Sequence, residues 1–428
     1  QLSDKTVRHN LGSSSQFLGD GDLDNSFVDK QGGQQTIQSS NERNTRRTRS
    51  TPFTTLTAAE ATKANVVPIQ NYAFNSFTWD HTNGDYSNQI IQRVGDVRQS
   101  HHISEIRVTD NSGSRYIYGI PAYNNTQEEV TFAVNAGDSS NVKSGIIRYQ
   151  GGDDGSGNSK GLDHYYNKVV TSPYAHSYLL TCVLSADYVD SDGIPGPSDG
   201  DLGNYTKFNY SRAISAFNWR TPYSVNGNEG SYTQGMIGNP DDDKANYVYG
   251  TKEVWYLHSI ETRTHVAEFH LKNRVDGMEA NGRSGQMGSQ YMQCLNRIEL
   301  YSKPDKLNSS GEAIKTVYFD YDYSLCPNVP NNTGEVVTVD GKNINTSKGK
   351  LTLKKIWFTY GKSNKGILNP YVFNYADQDF DGSMDSDLNP PYGIKNYDRW
   401  GNYKKDGQYV ASSNAEFPYT TQNKSQAD

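Results

Sequence analysis

The sequence predicts an all-β protein, an irregular assembly of antiparallel sheets or stacked β-sandwiches with long polar loops and very little helix. Three observations lead to this fold class. Apolar and polar residues alternate with period two in most segments between residues 72 and 375, as they do in half-buried strands. Tyrosine dominates the aromatic residues, with 31 Tyr against 14 Phe and 5 Trp. Apolar stripes at helical spacing are nearly absent, so we expect less than about a tenth of the residues in helices, against the usual third.

Four pairs of aromatic residues carry the period-two signal most clearly. In each pair a Phe and a Tyr stand two residues apart, with Asn, Asp or Thr between them. The pairs are Phe208 and Tyr210, Phe319 and Tyr321, Phe358 and Tyr360, and Phe373 and Tyr375. Residues two apart on a strand point to the same face of the sheet. We therefore predict that the intervening polar residue faces water and that Tyr321, Tyr360 and Tyr375 are largely buried.

Composition limits the classes of function. The 428 residues could hold two or three domains or one large β structure, and a hydrophobic fraction of 34% favours thin, wet layers over a thick aliphatic core. The formal net charge of −7 disfavours non-specific binding to nucleic acid. No window approaches about eighteen apolar residues, so no transmembrane helix is predicted. Of the cysteines, which have no metal or disulfide spacing, Cys182 and Cys294 are predicted to be buried strand thiols.

The chain divides into five regions by composition. The first is too polar to bury a core of its own, so we expect it to lie along the rest of the chain or along a neighbour. Within it, Thr57–Lys63 predicts a short helix. The predicted regions are residues 1–64, a polar extended arm; 65–136, a β-rich subregion; 137–173, a loop region rich in Gly, Ser and Asp; 174–376, the main β-rich region; and 377–428, an acidic loop with a polar tail.

Two local features can be placed within the β-rich regions. The alternating segments around Ile106 and Tyr118 flank an Asn-Ser-Gly turn at residues 111–113 and predict a hairpin. Farther along, apolar residues occupy odd positions up to Leu353 and even positions from Ile356. A change of phase within one strand requires an extra residue, so we predict a β-bulge at Lys354–Lys355.

Sequence motifs for catalysis are weak. No nucleophile elbow, phosphate-binding loop or dinucleotide fingerprint stands out between a strand and a helix. The acidic residues single out no carboxylate pair for glycoside hydrolysis. His258, His265 and His270 lie in two long predicted strands, and we interpret them as core or solvated histidines in preference to a zinc site, which needs three or four convergent ligands. We therefore predict no catalytic residues.

An acidic segment near the end of the chain has the pattern of a calcium-binding loop. Asp occupies relative positions one, three, five, nine and eleven, and Gly occupies position six. Position twelve is Leu388 instead of Glu and the flanks are not helical, so we predict a calcium-loop-like turn and not an EF-hand. The candidate ligands are Asp377, Asp379, Asp381, Ser383, Asp385 and Asp387. The ion would be structural, and the alternative is a solvated acidic turn.

A second, looser acidic cluster follows the apolar strand that ends near residue 185. Its candidate calcium ligands are Asp187, Asp190 and Asp192, with Asp199 and Asp201 close in sequence. Carboxylate oxygens are the donors that calcium prefers. Here too the alternative is a solvated acidic loop.

Residues 396–403 contain the motif Tyr-Asp-x-x-Gly-Asn, which carries a family resemblance. This pattern resembles the signature of YD repeats in Rhs-type proteins. The runs PAYNNTQEEVTF, KEVWYLHSIETRTHV and KLTLKKIWFTYGKSNKG resemble segments of very large Bacteroidota surface proteins that carry YD-repeat regions. The resemblance spans about residues 66–405, but the signature does not recur at short regular intervals as it does in true YD repeats. It therefore implies the irregular region that adjoins the repeats, similar to the segment beside the shell of Rhs and Tc-type toxins.

The resemblance implies a secreted, structural β-rich segment of a giant cell-surface or toxin-shell protein, with no catalysis by the wall of strands. Its partners would be other parts of a longer polypeptide or neighbouring copies. Because the chain starts at Gln1, without an initiator Met or signal peptide, we expect a processed product or a fragment. Two alternatives stay open. One is a calcium-stabilised adhesin whose exposed Tyr and Trp rings stack on surface glycans, and the other, less favoured, is a polysaccharide-active enzyme.

Overall fold

The computed structural model describes residues 53–233, 235, 242–307, 311–336, 338–339, 342–375 and 389–394, and the backbone of Ser26–Val28 and Gln34–Thr36. Of the described residues, 54% lie in strands and 8% in helices. Their strand pairings are all antiparallel. The predicted all-β fold with little helix is confirmed. Within these residues, no helix has the length and apolar character needed to cross a membrane.

The described chain contains many strands, several of them very long, and three short helices. The strands are β1 (Ser26–Val28), β2 (Gln34–Thr36), β3 (Phe53–Thr57), β4 (Ile69–Tyr72), β5 (Trp79–Asp80), β6 (Asp85–Tyr86), β7 (Asn88–Ile91), β8 (Ile103–Thr109), β9 (Arg115–Ala133), β10 (Ile146–Arg148), β11 (Tyr166–Thr171), β12 (Tyr174–Leu184), β13 (Tyr205–Thr221), β14 (Glu229–Thr233), β15 (Lys244–Thr262), β16 (His265–Asn281), β17 (Gln286–Ser302), β18 (Lys315–Leu325), β19 (Thr338–Val339), β20 (Lys342–Asn343), β21 (Lys350–Thr359) and β22 (Tyr371–Val372). The helices are α1 (Ala58–Lys63), α2 (Ser139–Ser144) and α3 (Lys303–Leu307), and 3-10 turns occupy Gly282–Ser284 and Lys365–Leu368.

One sheet of 14 strands organises the molecule. Its main path runs β22-β21-β18-β17-β16-β15-β13-β12-β9-β8-β3, so most neighbours in the sheet are also neighbours in the chain. The long strand β9 pairs with β12 through residues 115–124 and with β15 through residues 124–133. Since β13 pairs with both β12 and β15, these four strands form a closed circuit within the sheet.

The predicted short helix and hairpin are confirmed. Helix α1 begins after Thr57, whose hydroxyl caps the Glu60 N–H, while the Glu60 carboxylate accepts the Thr57 N–H at 2.8 Å. This capping box satisfies N–H groups that the first turn of a helix leaves unbonded. Strands β8 and β9 form the hairpin, with Ile106 opposite Tyr118.

The bulge in β21 is confirmed as well. Lys355 pairs with Asp320 and Leu353 pairs with Tyr321, so Lys354 is an extra residue without a partner in β18. An extra residue moves the following side chains by one position. The apolar side chains before and after the bulge can therefore share one face of the sheet.

The interpretation of residues 137–173 as a loop region is wrong in part. Helix α2 and strands β10 and β11 lie within it. Asp138 caps the start of α2, and Gly145 ends the helix in the left-handed region at φ 70°. Strand β10 pairs with β14, which lies far along the chain. Composition did not indicate this strand because its partner is distant in sequence.

The last residues of the predicted polar arm belong to the sheet. Strand β3 pairs with β8, with Thr55 opposite Ile106, and α1 follows it directly. The arm therefore lies along the sheet over residues 53–57, as expected. Apart from the short pair β1 and β2, residues 1–52 lie outside the described part of the chain.

The predicted orientation of the aromatic pairs is wrong in part. Tyr360 lies just beyond β21 and is 57% exposed, while Tyr321 and Tyr375 are half-buried. The polar residues Asn209 and Thr359, which stand between the two rings of their pairs, are buried. Apolar and polar residues do alternate between the two faces of these strands. The face that carries Asn209 or Thr359 is nevertheless the more deeply buried one.

The cover over Asn209 explains its burial. The segment that contains β4 to β7, residues 69–91, packs across this face of β13, where Lys207 binds Asp85 at 2.9 Å. Beneath that cover Asn209 donates a hydrogen bond of 2.9 Å to Ser259 Oγ. The polar side chain is tolerated under this cover because it is hydrogen-bonded.

The core consists of small, tyrosine-rich clusters. The first, called here the Phe132 cluster, comprises Val130, Phe132, Val134, Ile147, Tyr149, Tyr232, Ala245 and Tyr247. The second comprises Tyr72, Trp79, Tyr86 and Val266, and the third comprises Cys182, Leu184, Tyr188 and Tyr205. Cys182 and Cys294 are buried in strands, as predicted.

Candidate functional site

The acidic loop between β12 and β13 is held in a defined shape. Val189 and Leu202 pair through backbone hydrogen bonds of 3.2 and 3.0 Å and close the loop on itself. At its base, the Arg263 guanidinium donates to the carbonyl oxygens of Asp201 and Gly203 at 2.7 and 2.8 Å. Because Arg263 lies in the turn between β15 and β16, the loop is fastened to the sheet.

Asp201 is the buried centre of this loop. Its carboxylate accepts hydrogen bonds from the Tyr188 hydroxyl at 2.6 Å, the Ser191 N–H at 3.0 Å and the Ser198 N–H at 2.9 Å. Burial raises the pKa of Asp201, but these hydrogen bonds to the charged form outweigh burial, and the net pKa is lowered. Asp201 is therefore ionised at neutral pH, and the loop is organised around its charge.

Asp190 and Asp192 converge on Asp201. One carboxylate oxygen from each of the three residues lies within 4.8 Å of the other two. Asp190 accepts the Gly193 N–H at 2.8 Å, and Asp192 accepts the Ile194 N–H at 2.8 Å. The structure thus brings together two of the predicted ligands and adds the buried Asp201.

The remaining acidic residues of the loop lie apart from this group. Asp187 is exposed and is not one of the three convergent carboxylates. Asp199 accepts hydrogen bonds from the Tyr205 hydroxyl at 2.5 Å and from Lys303 Nζ at 2.9 Å. Asp187 is therefore a poorer candidate ligand than Asp201.

The donor set of Asp190, Asp192 and Asp201 suits a hard cation. Calcium takes six to eight oxygen ligands, so the three carboxylates would supply part of its coordination shell. Backbone carbonyls and water would have to supply the rest. The residues fit calcium in donor chemistry, although each carboxylate also accepts hydrogen bonds from the loop.

A cavity of about 520 Å³, called here the loop-side cavity, lies between this loop and the sheet. Its walls come from residues 64–68, from strands β8, β9, β12 and β13, and from loop residues that include Asp190. Three tyrosine rings line it, those of Tyr72, Tyr188 and Tyr210, together with four basic residues and two acidic ones. Its volume is typical of a small-molecule site, and its lining has an excess of positive charge.

Two of the four basic residues are engaged in structural contacts. Arg93 is buried and donates to Glu105 Oε2 at 3.2 Å and to the Gly119 carbonyl at 3.3 Å. Lys207 is paired with Asp85 at 2.9 Å. These contacts hold the walls of the cavity together.

Arg107 and Arg115 are the basic residues best placed to contact a ligand. They are diagonal neighbours on β8 and β9. Arg107 donates through Nε to Glu105 Oε1 at 2.6 Å, and Arg115 donates through Nη2 to the Tyr188 carbonyl at 2.8 Å. Each contact uses one guanidinium nitrogen, so the other nitrogens can donate to a carboxylate or a sulfate in the cavity.

Cys182 lies in the wall of the cavity but is not an activated nucleophile. Burial raises the pKa of the Cys182 thiol to about 12. The thiol is therefore protonated at neutral pH, whereas reactive cysteines have a lowered pKa.

The other predicted calcium site, residues 377–387, lies outside the described residues, as does the YD-like signature at residues 396–403. No protein-family model, no curated protein and no solved structure matches this chain. The resemblance to YD-repeat proteins and the calcium loop at residues 377–387 therefore stay predictions.

Sequence reasoning missed the loop-side cavity and its arginines. The neighbourhood of Arg107 and Arg115 follows from the register of the β8–β9 hairpin, so the predicted hairpin contained that signal. The approach of Asp201 to Asp190 depends on the bridge between Val189 and Leu202. No local pattern in the sequence indicates that bridge.

Proposed function

We propose that this chain is a structural, non-catalytic β-rich segment of a large secreted cell-surface or toxin-shell protein of the Rhs/YD-repeat type. The observation that supports this proposal best is the 14-stranded sheet, whose main path follows the chain almost in order. A sheet with so many strands in nearly sequential order suits a wall of strands. The resemblance of the sequence to segments that adjoin YD repeats supports the same function.

The β22 end of the sheet supports contact with further polypeptide. Within the described residues β22 is the last strand of the path, and it is only 2 residues long. Both of its residues, Tyr371 and Val372, are exposed, as are Ile367 and Leu368 in the 3-10 turn before it. An exposed apolar edge favours pairing with another strand. We expect another part of a longer polypeptide, or a neighbouring copy, to cover this edge.

The size and location of the native polypeptide test the proposal. Antibodies raised against this chain would recover the polypeptide from the producing cells for mass spectrometry, and intact cells would be treated with added protease. We expect a polypeptide much larger than 47.7 kDa that the external protease removes. A product of 47.7 kDa that is protected in intact cells, together with a cytosolic marker, would contradict the proposal.

A second candidate function, calcium-stabilised carbohydrate binding, is favoured by the loop-side cavity. Aromatic rings stack on sugar rings, and three tyrosines line this cavity. The guanidinium groups of Arg107 and Arg115 suit the carboxylate or sulfate of an acidic saccharide. Asp190 belongs to both the cavity wall and the group of three carboxylates, so a calcium ion there would stabilise the wall.

Replacing Arg107 with Gln should weaken binding of an acidic glycan at least about tenfold, equivalent to about 1.4 kcal/mol, because one donor to the anionic group is lost. The full chain would be applied to an array of neutral, uronic and sulfated glycans in calcium. Lys362→Gln, which removes an exposed charge outside the cavity, is the control. Equal binding by the wild type and Arg107→Gln would contradict an anionic ligand in this cavity.

Calcium at about 10 mM should raise the free energy of unfolding by about 1.4–2.7 kcal/mol, if its dissociation constant is about 10⁻³–10⁻⁴ M. Asp192→Asn should abolish this gain, because the amide loses the negative charge of a ligand. Asp96→Asn removes an exposed carboxylate elsewhere and should leave the gain unchanged. Thermal unfolding and calorimetric titration would measure both effects.

The same calcium experiment separates the two acidic segments. If Asp379→Ala removes the heat of binding and Asp192→Asn does not, the calcium site lies at residues 377–387. If neither substitution changes the response, or if calcium gives no response, both segments are solvated acidic loops.

A further inference from the structure

Two carboxylates and an imidazole converge on one face of β16 and β17. Glu268 and His270 are two residues apart on β16, so they point to the same face. Glu299 on β17 is the direct cross-strand partner of Glu268. Their side chains are 2%, 14% and 18% exposed for Glu268, His270 and Glu299. The register of the two strands therefore brings all three groups together on one face. Their side chains are largely shielded from bulk water.

The distances between the donor atoms fit a metal ion. His270 Nε2 lies 2.9 Å from Glu299 Oε2 and 3.7 Å from Glu268 Oε2. One donor atom from each residue lies within 4.8 Å of the other two. Donors at about 2.1 Å from a tetrahedral zinc ion are separated by about 3.4 Å. Small side-chain adjustments would thus place an ion among the three groups.

The ring nitrogen that faces the carboxylates lacks a hydrogen bond. His270 Nε2 is buried and makes no well-aligned hydrogen bond, although Glu299 Oε2 lies 2.9 Å away. A buried polar atom without a partner is costly. Coordination of a metal ion through its lone pair would satisfy this nitrogen.

Neighbouring side chains bind the carboxylate oxygens of Glu268 and Glu299 that point away from His270. Glu268 Oε1 accepts a hydrogen bond from the Tyr86 hydroxyl and pairs with Lys306 Nζ, both at 2.5 Å. Glu299 Oε1 accepts the Arg297 Nε–H at 2.6 Å. The Oε2 atoms are the ones that approach His270, and that of Glu299 also accepts the Tyr301 hydroxyl at 2.9 Å. Metal ligands are commonly oriented by outer hydrogen bonds of this kind.

A hydrophobic ring packs on the imidazole. The centroids of the Phe77 and His270 rings lie 4.1 Å apart. This contact brings the segment that contains β5 and β6 over the group and restricts rotation of the imidazole. Like charges that face each other directly across two strands repel, and Lys306 and Arg297 offset the charges of Glu268 and Glu299 on the side away from His270.

We propose that Glu268, His270 and Glu299 bind one divalent transition-metal ion, with zinc as the best fit, and that the ion joins β16 to β17. A set of one imidazole and two carboxylates suits zinc, whereas calcium and magnesium prefer oxygen ligands alone. Water would take the fourth position. This proposal does not depend on the function proposed above.

Zinc and cobalt binding to the metal-depleted full chain would test the site. Calcium would be present at about 5 mM to occupy the acidic loops, so that they do not compete for zinc. We expect one zinc per chain by elemental analysis, and cobalt substitution should give the visible absorption of a four- or five-coordinate ion. X-ray absorption of the zinc form should show nitrogen and oxygen neighbours that include one imidazole.

Substitutions identify the ligands. His270→Gln and Glu299→Gln should each weaken zinc binding at least about 100-fold, more than the loss of an outer hydrogen bond does. His265→Gln on the same strand replaces an exposed histidine and should bind zinc like the wild type. If one ligand variant fails to fold, the other variant and the spectrum of the wild type still decide the question.

Two results would overturn the proposal. One is the absence of zinc binding by the folded wild type up to about 100 μM, far weaker than structural zinc sites bind. The other is zinc binding that is unchanged in folded His270→Gln and Glu299→Gln. Either result would leave His270 and the two carboxylates as polar contacts between β16 and β17 that bind no metal ion.

Discussion

Replacing Glu253 with Gln is expected to lower the free energy of unfolding by about 3–5 kcal/mol, because it leaves a buried guanidinium without its counter-charge. Glu253 and Arg98 are both buried, and Arg98 Nη2 lies 2.7 Å from each carboxylate oxygen. Arg212 donates to the same carboxylate at 2.9 Å, the Trp255 indole at 3.1 Å and the Tyr123 N–H at 3.2 Å. These donors come from three strands of the closed circuit and from the segment before β8. The Glu253 carboxylate therefore links these four parts of the chain.

The matched control is Glu312→Gln. Glu312 and Lys362 form an exposed ion pair of 3.3 Å, and exposed pairs contribute little to stability. Urea denaturation of the two variants and the wild type would measure the difference. A loss below about 1 kcal/mol for Glu253→Gln would mean that this carboxylate contributes no more than a surface charge does.

The effect of Glu253→Gln should also depend on pH. Burial raises the pKa of Glu253, but the charge of Arg98 and the hydrogen bonds to the carboxylate outweigh burial, and the net pKa is lowered. A carboxyl group with a lowered folded pKa stabilises the protein above its unfolded pKa of about 4.3, and loses that contribution as pH falls through the folded value. The difference between wild type and variant should be full above about pH 5 and shrink on acidification.

Replacing Phe132 with Ala is expected to lower the free energy of unfolding by about 3–5 kcal/mol, because a cavity replaces a fully buried ring. Phe132 is 0% exposed. Its ring centroid lies 4.8 Å from that of Tyr149 and 6.2 Å from that of Tyr247. Arg220 lies over the Tyr247 ring at 4.4 Å and holds it in place, so the neighbours cannot readily fill the space.

Phe53→Ala provides the control for a phenylalanine on the same sheet. Phe53 lies on the terminal strand β3 and is 49% exposed, so its truncation should cost much less. Equal losses for the two variants in urea denaturation would contradict the burial of the Phe132 ring in the Phe132 cluster. The comparison also tests residues 146–149, since Ile147 and Tyr149 pack in that cluster although composition predicts a loop.

Several elements of the fold could be predicted because their causes are local. The bulge at Lys354 follows from a change of phase within one strand, and α1 follows from the reciprocal bonds between Thr57 and Glu60. The β8–β9 hairpin follows from a short turn between two alternating segments. In the candidate site, Asp190 and Asp192 could be predicted as ligands because a cluster of carboxylates close in sequence can be recognised from the local composition.

The sequence by itself determined the fold class, the hairpin and the places where strands break, because period two, turn residues and caps act over a few positions. Only the tertiary structure decided which strand faces are buried, since that depends on what packs against them. Asn209 is buried because residues 69–91 cross its strand. The loop-side cavity, the pairing of Arg98 with Glu253 and the approach of Glu299 to His270 likewise arise between residues that are distant in sequence, so no local pattern could place them.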